Sequence, residues 1–226
     1  MDNIFNKLFP PRCLFCGSVG SVFCENCLSG CRLVKYQKCL VCDKPSLDGK
    51  THQTCLRLGI PTQLISIYEY YGKVRDCIKK SKYYSRQFMA LKILSREALG
   101  LSYEWSGSFD GFICVPIPLS KEKYLNRGFN QALLIAHTLA KGHKLTVDES
   151  ILIRDRGTKA QHAINREERF KNVSGCFSAT EGNVGGKKIL LVDDICTTGA
   201  TFLEAAKTLY KVGAVEVKCF ALSKKL

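Results

Sequence analysis

This chain predicts an α/β fold, a parallel sheet with flanking helices, preceded by a small metal-bound head. Three observations carry that expectation. Short apolar runs at Phe112–Val115, Ile189–Asp193 and Val215–Leu222 have strand length, and segments of helical periodicity separate them. Eight of the 13 cysteines crowd between Cys13 and Cys55, which divides the chain into a head, 1–58, and a body, 59–226. The junction after Asp194 packs hydroxyls and a glycine between a strand and a helix, where α/β sheets bind ligands.

Size and charge set the outer limits. With 226 residues there is room for one sizeable core and an appendage, and 46% hydrophobic residues is ordinary for a folded soluble protein. No run reaches the length of a membrane-spanning helix, and MDNIFNKLF has neither the charged nor the apolar region of a signal peptide. A cytoplasmic protein without a transmembrane segment is the expectation. The formal charge of +14 points to polyanionic company: nucleic acid, pyrophosphate-bearing substrates or an anionic membrane face.

In the head the ligand types run Cys13, Cys16, Cys24, Cys27, Cys39, Cys42, His52, Cys55. Within each successive pair two residues intervene, a gap that lets both side chains of a knuckle converge on one tetrahedral ion. Zn²⁺ would supply the folding energy that so short a segment cannot draw from an apolar core. Consecutive pairing gives two sites, Cys13/Cys16/Cys24/Cys27 and Cys39/Cys42/His52/Cys55. Spacing alone leaves open an interleaved pairing or a single ion. Each four-ligand set fills its coordination sphere, so the metal is structural and not catalytic. Cys31 is left over as a structural thiol.

The body opens with a strand at Leu64–Tyr70, broken by Gly72, and one or two helices over Lys73–Leu99 that bury Ile78, Met89, Leu91, Ile93, Leu94 and Ala98. Arg75, Lys79, Lys80, Lys82, Tyr83, Tyr84 and Arg86 interleave cations with tyrosines, a mixture that suits single-stranded nucleic acid. A solvated helix face explains the same residues more simply. After Phe112–Val115 come Pro116-Ile117-Pro118, a loop carrying Lys121, Lys123 and Arg127, then Gly128 and a helix over Phe129–Leu139. A brief strand at Ile151–Arg154 leads into a polar, charge-rich stretch near 154–175, where His162 is an ordinary loop histidine.

The stretch KILLVDDICTTGAT then carries the chemistry. A buried strand ends at Asp193 and Asp194; Thr197, Thr198, Gly199, Ala200 and Thr201 follow, and a helix runs from Phe202 to Val212. Backbone amides and hydroxyls at a helix N-terminus cradle a phosphate monoester. Two adjacent carboxylates beside such a cradle need hydroxyls or a metal to face, and a ribose 5-phosphate answers both halves. Cys196 reads as a small buried hydrophobe.

These residues resemble the signature with which type I phosphoribosyltransferases bind phosphoribosyl pyrophosphate (PRPP). VPIPLSKEKYLNRGFNQA, with Arg127, Gly128, Phe129, Asn130 and Gln131, closely resembles the corresponding stretch of the ComF competence proteins. Those proteins similarly place a cysteine-rich zinc domain before a phosphoribosyltransferase domain. The resemblance implies PRPP bound with Mg²⁺, its 5-phosphate on Thr197–Thr201 and its ribose hydroxyls on Asp193 and Asp194, which would steady charge at the anomeric carbon. Lys121, Lys123 and Arg127, on a loop at the crevice edge beyond a parallel strand, would meet pyrophosphate. It also implies a hood over the centre, in which Thr158, Gln161, Arg166, Arg169 and Asn172 resemble the ComF version, and Lys159, Arg166 or Arg169 would neutralise departing pyrophosphate. By the same resemblance the chain acts in natural transformation, handling incoming single-stranded DNA with uptake-machinery partners on the cytoplasmic side of the inner membrane. A transferase of nucleotide salvage and a PRPP sensor without chemistry are the alternatives. No residue identifies an acceptor, so enzymatic turnover stays undecided.

Overall fold

The computed structural model describes residues 10–82, 85–155 and 166–226. Its strands are β1 Gln63–Glu69, β2 Phe112–Pro116, β3 Thr146–Val147, β4 Ile153–Arg154, β5 Phe177–Ser178, β6 Lys188–Cys196 and β7 Glu216–Lys224. Five of them form one parallel sheet in the order β1-β7-β6-β2-β3, while β4 and β5 make a separate antiparallel pair. The helices are α1 Glu25–Ser29, α2 Gly72–Ser81, α3 Ser85–Ser102, α4 Lys121–Arg127, α5 Gln131–His143, α6 Arg166–Val173, α7 Glu181–Val184 and α8 Ala200–Lys211.

Both faces of the sheet are covered, which is why its central strands read as continuous apolar runs. Leu190 and Val192 of β6 enter one core with Ile65, Phe220, Leu91, Leu94 and Ile135. Ile189 and Leu191 enter the other with Val217, Phe202, Ala206 and Leu209. Thus α5, which follows β2, covers one face, and α8, which follows β6, covers the opposite face. Because β2 and β6 are neighbours, the crevice at their carboxyl ends is a topological switch point.

The head is built into this sheet. Cys13, Phe23 and Cys27 belong to the first core and Leu40 to the second, so the head wraps around the β1 edge. Leu33 pairs antiparallel with Tyr68 and Lys50 with Gln63. The Val34 amide donates to the Ile67 carbonyl at 2.9 Å, and the Thr51 amide to that of Thr62 at 2.8 Å. The Gln37 side-chain amide donates to the Ser66 carbonyl and accepts from the Ser66 amide, at 2.9 and 3.0 Å. These contacts pair an edge strand that would otherwise expose open donors and acceptors.

Several elements differ in detail from the sequence reading. Lys121–Arg127 is a helix, not a loop: the Ser120 hydroxyl caps it by accepting from the Lys123 amide at 3.4 Å, and Gly128 ends it at φ 74°. Met89 is 46% exposed because α3 turns Ala90, Leu91, Leu94 and Ala98 to the core instead. β6 runs on to Cys196 because β7 pairs with it as far as Lys224. The polar stretch near 154–175 ends in α6, which packs on α8. Tyr83, Tyr84, Thr158, Lys159, Gln161 and His162, and the side chains of Arg86 and Arg166, lie outside the described residues.

Gly49 (φ 71°) sits where the head meets β1, and a Cβ there would lie 1.8 Å from the Leu64 carbonyl oxygen. Gly49→Ala should therefore cost about 2–4 kcal/mol, from left-handed backbone strain plus a backbone overlap. Gly100→Ala, on an open face of α3 with nothing within 4 Å, should be neutral or stabilising by about 0.5–1 kcal/mol. Thermal unfolding of both variants checks this; equal effects would mean the head is not seated on β1 as described.

Candidate ligand site and metal centres

The two acids occupy the switch-point end of β6. Asp193 and Asp194 are consecutive there, and their side chains stand close enough to interact directly. The Asp194 amide donates to Asp193 Oδ1 at 2.8 Å, and the Ser223 hydroxyl of β7 donates to the Asp194 carbonyl at 3.1 Å. Burial, then the charge of Asp194, pushes the Asp193 carboxyl well above the usual carboxylate range, against the opposing pull of the Asp194 amide. Lys82 Nζ stands 3.9 Å from Asp194 Oδ2.

Beyond the acids the backbone turns at Gly199 (φ 80°) into α8. The Thr198 hydroxyl accepts from the Ala200 amide at 3.4 Å. Among the described residues the amides of Thr197, Thr198 and Thr201 make no hydrogen bond, nor do the hydroxyls of Thr197 and Thr201. Free donors at the positive end of a 12-residue helix, with carboxylates alongside, form a surface for an anion that also carries hydroxyls.

Cations gather over this crevice. Burial, then the charges of Arg154, Arg127 and Lys82, pulls the Lys123 ammonium below its ordinary range, so these cations feel one another. Arg154 Nη1 donates to the Pro118 carbonyl at 3.4 Å, and its guanidinium lies 5.2 Å from the Phe177 ring centroid. Arg127 is half-buried and acts on Lys123, whereas Lys121 is exposed. Arg169 is half-buried on α6. Lys82 and Arg154 were not among the expected site residues. Lys82 looked like part of a solvated basic face, and no local spacing ties it to an acid pair in a distant strand.

The Arg-Gly-Phe-Asn-Gln stretch is mostly architecture. Gly128 donates its amide to the Tyr124 carbonyl at 2.8 Å, and Phe129 packs edge-on against Phe88 with centroids 4.8 Å apart. Buried Asn130 caps α5 by accepting from the Ala132 amide at 3.1 Å and donates to the Ile117 carbonyl at 3.0 Å, which holds the Pro-Ile-Pro turn beside the crevice.

In the head the grouping is consecutive. Cys13, Cys16, Cys24 and Cys27 form one set and Cys39, Cys42, His52 and Cys55 another, with the ligand atoms of each set within 4.8 Å of one another. Four thiolates about 2.3 Å from one Zn²⁺ stand at such separations. His52 presents Nδ1 to Cys42 Sγ at 3.3 Å while its Nε2 meets the Pro45 carbonyl at 3.1 Å, the backbone contact that orients a metal-binding imidazole. Burial disfavours a Cys13 thiolate, yet the amides of Cys24, Phe15 and Cys16 bring the thiol down to about 6. Both sets fit structural zinc. Cys31 belongs to neither and lies 3.5 Å from the Cys27 carbonyl.

Comparison with known proteins agrees with this architecture. Residues 4–59 match the double zinc ribbon domain model, and residues 130–226 match the phosphoribosyl transferase domain model. The competence protein ComFC of Streptococcus pneumoniae is 31% identical, over 93% of this chain and 99% of its own length. The chain belongs to the ComF family. ComFC of Bacillus subtilis is 30% identical, over 98% of this chain and 92% of its own, and the DNA utilization protein YhgH of Escherichia coli 26% identical, over 83% and 90%. Among solved structures the allosteric regulatory enzyme of purine biosynthesis aligns at 21% identity and a TM-score of 0.43, over 64% of this chain and 30% of that one. The two domain models, with the sheet and the cysteine sets, give the expected fold: a parallel α/β sheet of phosphoribosyltransferase type behind a double zinc ribbon. No helix among the described residues is long and apolar enough to cross a membrane.

The raised Asp193 has a consequence for stability. Its folded pKa lies above its unfolded value, so the stability it contributes is complete below the unfolded pKa and is lost as pH rises through the folded one. Asp193→Asn should raise the thermal midpoint of the ligand-free chain at neutral pH, with the gain shrinking toward about pH 4. A midpoint that is unchanged or lower at neutral pH would show that the carboxylate is not under strain.

Proposed function

We propose that this ComF-family protein binds PRPP or a related ribose phosphate at the ends of β6 and β2 and serves DNA uptake in natural competence. In this reading it handles incoming single strands on the cytoplasmic side of the membrane. The observation that carries the ligand assignment is the pairing of the two acids with free amides at the switch point. Thr197, Thr198 and Thr201 hold the 5-phosphate, and Asp193 and Asp194 face the ribose hydroxyls. Lys82, Lys123, Arg127 and Arg154 supply positive charge for pyrophosphate. Mg²⁺ enters with PRPP, sharing its phosphate and ribose oxygens.

For DNA, the candidate surface is a groove of about 930 Å³ between α3 and α5. Phe88, Tyr103, Tyr124 and Phe129 line it together with Lys92, Arg96 and Lys141, and among the described residues no acidic side chain does. Aromatic faces and cations without acids suit a single strand, whose bases stack while its phosphates pair. The names of the relatives, a competence protein and a DNA utilization protein, support a role with DNA. A working transferase is the second reading, favoured by the cation cluster at the place a leaving pyrophosphate would occupy.

Calorimetric titration with PRPP and Mg²⁺ tests the ligand. The intact chain should bind, and Asp193→Ala with Asp194→Ala should weaken binding roughly 100-fold or more, the loss expected for two charge-assisted contacts. Equal binding by the double variant would overturn the assignment. Pyrophosphate release with a panel of nucleobases and amines separates the transferase from a binder. Single-strand affinity should fall steeply with salt. Charge reversal at Lys92, Arg96 and Lys141 should weaken it by more than tenfold, roughly one counterion per site lost. Reversal at Lys79 and Lys80 should not; the opposite ranking would move the strand to the α2 face.

A further inference from the structure

The two metal sets sit differently on the body. Cys13 and Cys27 enter the core on one face of the sheet, among Ile65, Tyr68 and Ile78. The second set reaches the opposite face, and there it touches the threonine loop. Leu40, between ligands Cys39 and Cys42, is 2% exposed and shares a core with Cys196 and Phe202, which flank that loop. A Cβ built on Gly199 would lie 2.6 Å from Leu40 Cδ1, 3.2 Å from its carbonyl oxygen and 3.3 Å from Cγ. The knuckle is thus in direct contact with the residue at which the loop turns into α8.

A second contact runs from the same knuckle. Asp43, at φ 60° just after Cys42, donates its amide to the Cys39 carbonyl at 3.0 Å. Its carboxylate holds the Lys224 ammonium at 2.8 Å. The Lys224 side chain is only 3% exposed, and Lys224 stands opposite Cys196 in the β6–β7 register. The Lys225 amide then donates to the Cys196 carbonyl at 2.9 Å. A buried ammonium without its carboxylate is costly, so the pairing resists displacement of the metal turn from the strand ends.

We propose that the second knuckle is the rear wall of the phosphate loop, with Leu40 and Asp43 as positioning residues. Metal on Cys39, Cys42, His52 and Cys55 then tightens the loop's grip on a sugar phosphate, and the sugar phosphate tightens the hold on that metal. This deepens, and rests on, the assignment of Thr197–Thr201 to a phosphate. The coupling is reciprocal by linkage, and it is confined to the second set because the first lies across the sheet.

The test uses the full chain loaded with cobalt, since a four-thiolate set and a three-thiolate, one-imidazole set absorb differently and can be followed separately. Equilibrium competition with a graded chelator is run with and without PRPP and Mg²⁺. The second set should hold its metal roughly fivefold or more tightly when PRPP is bound, with the first set unmoved. Leu40→Ala should weaken PRPP binding by the same factor and remove that protection, and Leu40→Met should restore both. Should Leu40→Ala fail to load metal, Asp43→Asn gives the same two readouts, and the unmutated chain already gives the first. PRPP bound with equal metal retention, or with both sets protected alike, overturns the coupling while leaving the ligand assignment standing. Absence of PRPP binding by the intact chain overturns both.

Discussion

Two carboxylates on consecutive residues of one buried strand are the constraint around which the rest is arranged. Like charges so close raise each other's cost of ionisation, and burial raises it further. The effect is visible at Asp193, whose proton is held well above the normal range. What offsets it is the adjacent Asp194 amide on Asp193 and, from a distant helix end, Lys82 3.9 Å from Asp194. The residual strain is what a ligand bearing hydroxyls and a divalent cation would relieve. Strain held in place by a well-packed surround is common where binding is the purpose.

That surround depends on the head more than a two-domain description suggests. A five-stranded parallel sheet has two edges, and here the β1 edge is covered by segments that the metal knuckles fold. The head brings too little apolar surface to hold those segments by itself, so its conformation follows its metal. Several of its buried residues are shared with the body: Phe23 and Cys27 in one core, Leu40 in the other. Metal, sheet edge and ligand loop are consequently parts of one packing problem.

Within the cationic cluster the same economy of position applies. Lys123 gives up part of its affinity for a proton because it is partly buried and, after that, because of the charges of Arg154, Arg127 and Lys82. An arrangement of four like charges around a crevice is unfavourable in the absence of an anion and favourable in its presence. The acids are suited to hydroxyls and the cations to phosphates, and Lys82, 3.9 Å from Asp194, stands where the two sets meet.

The local features were legible in the residues. Strand lengths, the acid pair, the Thr-Thr-Gly-Ala-Thr turn and the eight ligand types follow from nearest-neighbour chemistry, which spacing records directly. Helix α4 was missed because its only signals, Ser120 and Gly128, bracket a polar segment without an apolar stripe. Met89 was misassigned because α3 meets the core at an angle that periodicity alone does not specify. Only the tertiary structure brought Lys82 to Asp194, gathered Lys123 and Arg154, chose consecutive metal pairing and seated Leu40 on Gly199. Each of these joins residues remote along the chain. Such proximity is set by which face of the sheet each crossover takes, and no local pattern of side chains encodes that choice.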